Sequence, residues 1–413
     1  MSYVPFKAPS KKLIISVLSS SAFITGLTIA VIWLYLFNLD RLDIFYDAIS
    51  ARSAIAVIFG FTIISTLGFS TLIFSSSFII ILIFSNYKNE LGKQHSTVHG
   101  FSNVGLFNNL GSCILLITSF IVYNYSIANG YICTILFIVA SLLLSYYITY
   151  IKIIKPIKTT YQSNDEIKGR IGKRSMIFLL PLLLLAPAIV QILPLLFLLS
   201  QLEFTDGSSD FAQLALLAAV ALTFSTLSIL PGTIYINEKK NGGMLHSIII
   251  ILVSIPTALV VLSMIFRPIP NMIINLTMNL SGISDWRIHQ FYIKEETHPH
   301  TMFNGLLWNT RYFQNIPSRF FITGVSVFTL GNKQLICPTT IIQARAESLK
   351  LTVDDINKYD DKLVKLKASA MNCIPFNKGE IHVWDSPILE PIYYEKIKIK
   401  NENSMIKLMQ SLK

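Results

Sequence analysis

The sequence predicts a two-part fold: an α-helical polytopic membrane bundle of about seven transmembrane helices, followed by a small α+β extracytoplasmic domain. Three observations carry this. The 413 residues are 52% hydrophobic and only 14% charged, where a soluble domain has about 25% charged residues. The deficit is confined to residues before about 270, where apolar runs long enough for a bilayer core of about 30 Å follow one another. After that point the composition is that of a globular chain. The predicted organisation is a bundle over 1–270, a connector over 271–284 and the exported domain over 285–413.

Seven spans are expected, at 13–37, 54–84, 104–124, 131–151, 175–200, 211–236 and 247–266. The first follows Lys7, Lys11 and Lys12 and exits through "FNLDRLD" without a small-residue cleavage motif, so it reads as an uncleaved anchor. The second is too long for one simple crossing; it is tilted, projects from the membrane, or breaks near Gly60 or Gly68.

The net charge of +11 lies in short clusters between apolar runs. That pattern sets membrane orientation and does not form a nucleic-acid face, so no nucleic-acid partner is expected. Lys88, Lys93, the Lys152–Arg174 loop, Lys239 and Lys240 fall on the N-terminal side; the alternate connections hold only Arg41, Arg52 and Arg267. The N-terminus is therefore expected in the cytoplasm and the last domain outside, with a bacterial inner membrane and a periplasmic domain preferred. The basic Lys152–Arg174 loop suits anionic headgroups, the bilayer being one partner. Sequons at Asn124, Asn275 and Asn279 lie on the outer side, the latter two close to the membrane.

Within the spans ionisable residues are nearly absent, which argues against a proton relay. Span five, "PLLLLAPAIVQILPLL", holds Pro181, Pro187, Gln191 and Pro194. Proline removes a backbone donor and opens the ladder, so Pro187, Gln191 and Pro194 are the candidate cavity lining, against the plainer reading of a kinked packing helix. Span two carries Ser65, Ser70 and Ser75–Ser77, suited to close helix packing. His95 and His99 share a helical face, but Ser96 stands where a zinc protease needs Glu.

The outer domain promises a hairpin across Gly331-Asn332, a helix over 352–367 with Thr352 as cap, and strands in "DWRIHQFYIKEE", "EIHVWD" and "IYYEKIKIK". Cys337 and Cys373 are its only cysteines and form the candidate disulfide. "KEETHPH" places Glu296, His298 and His300 on one face if extended, a set that suits a metal ion. They are contiguous, with no distant ligand, so the segment reads as polar surface and no metal or other cofactor is expected. No phosphate loop, nucleophile elbow or HExxH motif is present. Trp286, Phe291, Tyr292, Phe303, Trp308, Tyr312 and Phe313 are divided between core and an interface. The expected function is non-enzymatic: an outer domain that binds a protein or peptide partner, in immunity, sensing or assembly. A transporter using span five is the alternative. A further one is a membrane enzyme drawing on Asp206, Asp210, Glu295, Glu296 or His298.

Overall fold

A computed structural model describes residues 20–91, 95–124, 129–156, 170–205, 209–238, 244–312, 318–352 and 356–385. It is a helical membrane bundle followed by a small α+β domain. The helices are α1 (Ser21–Asn38), α2 (Phe45–Ile49), α3 (Arg52–Ile73), α4 (Ser75–Leu91), α5 (His95–Asn124), α6 (Gly130–Thr149), α7 (Arg170–Leu199), α8 (Asp210–Glu238) and α9 (Met244–Ile265). Six helices are long and apolar enough to cross a membrane, or up to seven if a bent pair counts as one. A π-helical turn, Tyr150–Ile154, extends α6.

The second apolar run does break, but at Phe74 rather than at Gly60 or Gly68. Phe74 N–H donates to Ser70 O at 2.8 Å and Phe78 N–H to Phe74 O at 3.1 Å, so the ladder continues across the break and α3 leads on into α4. The three prolines of span five do not break it either. Pro181, Pro187 and Pro194 sit inside the continuous helix α7. The expected connector over 271–284 is in large part a helix, α10 (Pro268–Leu280), bent by 115° from Val253–Ile265. Pro268 at its first position suits the turn, because a first-turn N–H has no intrahelical partner anyway.

The chain divides into two compact units at Ile63/Ile64 and Ile273/Ile274, with Leu349–Tyr359 grouped with the bundle. In the first unit the sheet runs β7-β5-β4-β2-β8, with β2 (Asp285–Lys294), β4 (Arg319–Leu330), β5 (Lys333–Cys337), β7 (Ile374–Asn377) and β8 (Ile381–Val383). Every pairing is antiparallel. β3 (Arg311–Tyr312) adds to β4. The expected hairpin is β4–β5. Gly331 at its turn has φ +66°, and a Cβ there would meet Asp47 O at 2.9 Å, so both the turn and the neighbouring helix α2 require glycine. The expected helix begins later than predicted, as α13 (Ile356–Ala370). The residues between Thr352 and Ile356 lie outside the described ones; Thr352 itself belongs to β6 (Leu351–Thr352), which pairs in parallel with β1 (Leu202–Glu203). The strand expected in "IYYEKIKIK" lies outside the described residues.

One sheet face is covered by membrane-type sequence. Val31, Ile32, Tyr35, Leu36, Ile44, Ala48 and Ile58 share a core with Val325, Val327, Phe328, Leu335 and Cys337. Residues of α1 and α3 thus contribute to the core of the sheet domain, while Ser21–Asn38 is also one of the helices long and apolar enough to cross a membrane. The register skips Val327 between the Ser326/Ile336 and Phe328/Leu335 pairs. A bulge leaves a backbone group without its ladder partner, and Tyr35 Oη donates to the Val327 carbonyl at 2.7 Å. Arg41 Nη1 donates to Cys373 O at 2.6 Å while its Nε and Nη2 hold Asp43.

Cys337 and Cys373 form the expected disulfide, 36 residues apart. It ties β5 to the residue before β7. A closed loop of this size stabilises by about 3–4 kcal/mol in the chain-entropy treatment. Reduction, or Cys373→Ser, is expected to lower the thermal midpoint of the sheet domain by several degrees and leave the bundle helicity intact, as circular dichroism would record.

Candidate functional site

Two places concentrate polar or aromatic side chains. The first is a seam inside the bundle. Gln191 is buried on α7, on the same side as Pro181, Pro187 and Pro194. Its amide oxygen accepts from Asn109 Nδ2 on α5, and its Nε2 donates to Phe224 O on α8 at 3.5 Å. Asn109 Nδ2 also donates to Ser225 O at 2.8 Å. One helical position earlier, Asn108 Nδ2 reaches Ser145 Oγ at 3.0 Å and Leu184 O at 3.1 Å, and Ser145 Oγ donates to Pro181 O at 2.7 Å. The carbonyls freed directly by the three prolines are those four residues earlier, at 177, 183 and 190. The bonds fall beside these positions, at 181 and 184.

Ser76 and Ser77 of span two face α8. Ser77 Oγ donates to Ser228 O at 2.5 Å and accepts from Gly232 N–H at 3.0 Å. This hydroxyl bridges a donor and an acceptor that an unbroken helix would pair directly, next to Pro231, as kinked helices require. Ser76 Oγ meets Ser228 Oγ at 2.7 Å. Close approach needs small residues: a Cβ on Gly232 would lie 2.9 Å from Ser77 Cα, and one on Gly105 would overlap Ile80. Among the described residues the buried polar side chains are Thr, Ser, Asn and Gln. The hydrogen bonds described in the seam join neutral side chains and backbone carbonyls, with the Asn108 and Asn109 amide oxygens buried and unpartnered among the described residues.

The second place is the β2–β8 end of the sheet. Strand alternation sends Phe291, Ile293, Phe320, Ile322 and Ile381 into a core with Phe303, Trp308 and Phe376. Their neighbours face the other way. Tyr292 stacks on His382 at 4.9 Å and meets Trp384 edge-on at 5.8 Å; Trp384 also meets Phe321 at 6.3 Å. The Arg319 guanidinium lies 5.0 Å from the Tyr292 ring centre. Beside this group, His289 is held from both sides: Nδ1 to Asp385 at 2.7 Å and Nε2 to Asp285 at 3.0 Å. Arg287, bonded to both Asp285 oxygens, holds that carboxyl below the usual carboxylate range against the opposing effect of burial. Trp286, Phe291, Phe303 and Trp308 are core; Tyr292 is half-buried. The Tyr312 side chain and Phe313 lie outside the described residues.

"KEETHPH" is not extended. Thr297 and His298 N–H both return to Lys294 O, at 3.1 and 3.2 Å, so the segment turns at the end of β2. The turn separates the three candidates: Glu296 is exposed, His298 packs 5.1 Å from the Phe376 ring, and His300 Nδ1 pairs with Glu295 at 2.5 Å. Among the described residues no group of three or more His, Cys, Asp or Glu could hold a metal ion. The side chains of His95 and His99, and all of Asp206, lie outside the description; Asp210 opens α8.

No family model, curated protein or solved structure matches this chain.

Gln191→Leu removes the acceptor of Asn109 and is expected to destabilise the bundle by about 1–2 kcal/mol. Unfolding in graded denaturing detergent checks this; a midpoint equal to that of the unsubstituted protein would remove Gln191 from the seam's stabilising set.

Proposed function

We propose that this multi-pass membrane protein is non-enzymatic and binds a protein or peptide partner through the β2–β8 end of its sheet. The observation that carries the reading is the half-exposed group of Tyr292, His382 and Trp384, backed by the buried Phe321, with Arg319 over the Tyr292 ring. Tyr, Trp and Arg are the residue types that dominate binding energy at protein interfaces. Within the bundle Gln191, Ser77 and Ser228 bond to neighbouring side chains or backbone, whereas the Asn108 and Asn109 amide oxygens are buried without a partner among the described residues, so transport stays the second reading.

The sheet domain is proposed to lie in the periplasm of a bacterial inner membrane. Charge asymmetry between loops favours it, and a disulfide persists in such a compartment. Connection parity supports the same topology. Residues Leu39 to Ala48 share the sheet's core, and Leu202–Glu203 pair with Leu351–Thr352. The Leu39–Ala48 connection therefore belongs with the tail, and the Leu202–Glu203 connection is proposed to lie on the same side of the membrane. Four helical runs lie between them (α3 with α4, α5, α6 and α7), an even number, as required if each crosses once.

A photo-crosslinking amino acid at His382, compared with one at exposed Asp361, tests both proposals in native membranes. A discrete adduct at 382 alone, digested by protease added outside spheroplasts, is the expected result. Equal or no crosslinking at the two positions rejects the binding face; protease resistance of the adduct rejects the topology.

A further inference from the structure

The β2–β8 end of the sheet carries charge that it does not balance itself. Directly opposite residues of an antiparallel pair share one face of a sheet. The register sets Tyr292 opposite both Phe321 of β4 and His382 of β8, and it sets Arg311 of β3 opposite Phe321 on the other side. His382, Tyr292, Phe321 and Arg311 therefore form one row across four strands, on the face away from Phe291, Phe320 and Ile381. The next row along that face holds Lys294 opposite Arg319. Three cations thus border the aromatic group: Lys294 and Arg311 are exposed, and Arg319 is half-buried over the Tyr292 ring.

Like charges placed directly opposite each other on a sheet are destabilising. Lys294 and Arg319 occupy such a pair. Arg41 and Arg287 each hold a carboxylate, but Lys294, Arg311 and Arg319 form no ion pair among the described residues. The Arg311 Nε reaches only the neutral Asn309 Oδ1, at 3.4 Å. Most carboxylates at this end are engaged elsewhere: Asp285 with Arg287 and His289, Asp385 with His289, Glu295 with His300, and Glu380 with Asn377. Glu296 is exposed in the turn after β2. The stretch joining β3 to β4, "FQNIPS", contains no acid.

We propose that this face recognises an acidic segment of a protein partner, with Lys294, Arg311 and Arg319 on its carboxylates and Tyr292, His382 and Trp384 against its apolar side chains. The proposal rests on the reading of this face as a protein-binding surface and adds the charge of what it binds. An arginine fork matches the two oxygens of a carboxylate, and complementary charge steers the right partner in and rejects like-charged ones. Rings set between cations at fixed strand positions suit a shaped partner; an anionic bilayer is attracted by basic clusters without them.

The test uses the full chain in phosphatidylcholine nanodiscs, with a photo-crosslinking amino acid at position 382. Two labelled peptide libraries of equal length and matched Tyr and Leu content are the probes, one rich in Asp and Glu, the other with Asn and Gln in their place. Preferential crosslinking of the acidic library is expected. It should weaken several-fold between about 0.1 and 1 M salt, where the screening length falls from about 10 to about 3 Å. Lys294→Gln combined with Arg311→Gln removes two exposed charges and should weaken it about fivefold or more. Equal crosslinking of both libraries overturns the proposal and leaves the binding face standing, as does acidic-library binding unchanged in the double variant. Crosslinking of neither library also overturns it; the adduct at 382 in native membranes then decides whether the binding face survives, and charge-dependent capture of the nanodiscs by phosphatidylglycerol vesicles would make an anionic bilayer the occupant.

Discussion

The structure depends on the contact between the end of the first apolar helix and the bulge in the central strand. A buried carbonyl without a partner costs about 1–3 kcal/mol, and the bulge at Val327 creates one that no sheet neighbour satisfies. Tyr35 supplies the missing donor from a residue nearly 300 positions earlier in the chain. Around it, Leu36, Ile32 and Ile58 fill the sheet face that would otherwise be open. A domain that borrows its covering layer from the ends of apolar helices has no separate hydrophobic face to bury. This also accounts for the length of the second run: at about 1.5 Å per residue α3 and α4 together exceed any bilayer core, and Ile58 belongs to the sheet domain's core.

The helical unit is governed by a different constraint. Without a hydrophobic driving force between helices in lipid, association rests on close packing and hydrogen bonds. Glycines at 105, 111 and 232 admit neighbouring side chains or backbone. Asn108, Asn109, Gln191 and the serines at 76, 77, 145 and 228 then join helices that small residues have brought together.

Much of this was legible in the sequence. Apolar run length placed the helices, the Gly331-Asn332 turn placed the hairpin, and the two tail cysteines identified the disulfide, because each signal is local or compositional. The partner of Gln191 was not legible, since nothing local links Asn109 to it. Nor was the aromatic surface: Tyr292 and Trp384 meet only because β8 returns beside β2. "KEETHPH" misled because Pro299 fixes its own neighbourhood as extended, while the Lys294 carbonyl turns the residues just before it. The helix ends in the sheet core were hidden because buried helix and membrane span share one apolar signature.

The central claim is that the sheet domain is incomplete without the apolar segments that precede it by more than 200 residues. Thermal unfolding of a fragment spanning 274–385, alone and joined by a flexible linker to 20–63, tests it directly. The fragment alone should show no cooperative transition, and the joined form should regain one. A cooperative, disulfide-bonded fragment that unfolds at the same temperature without 20–63 would contradict the account.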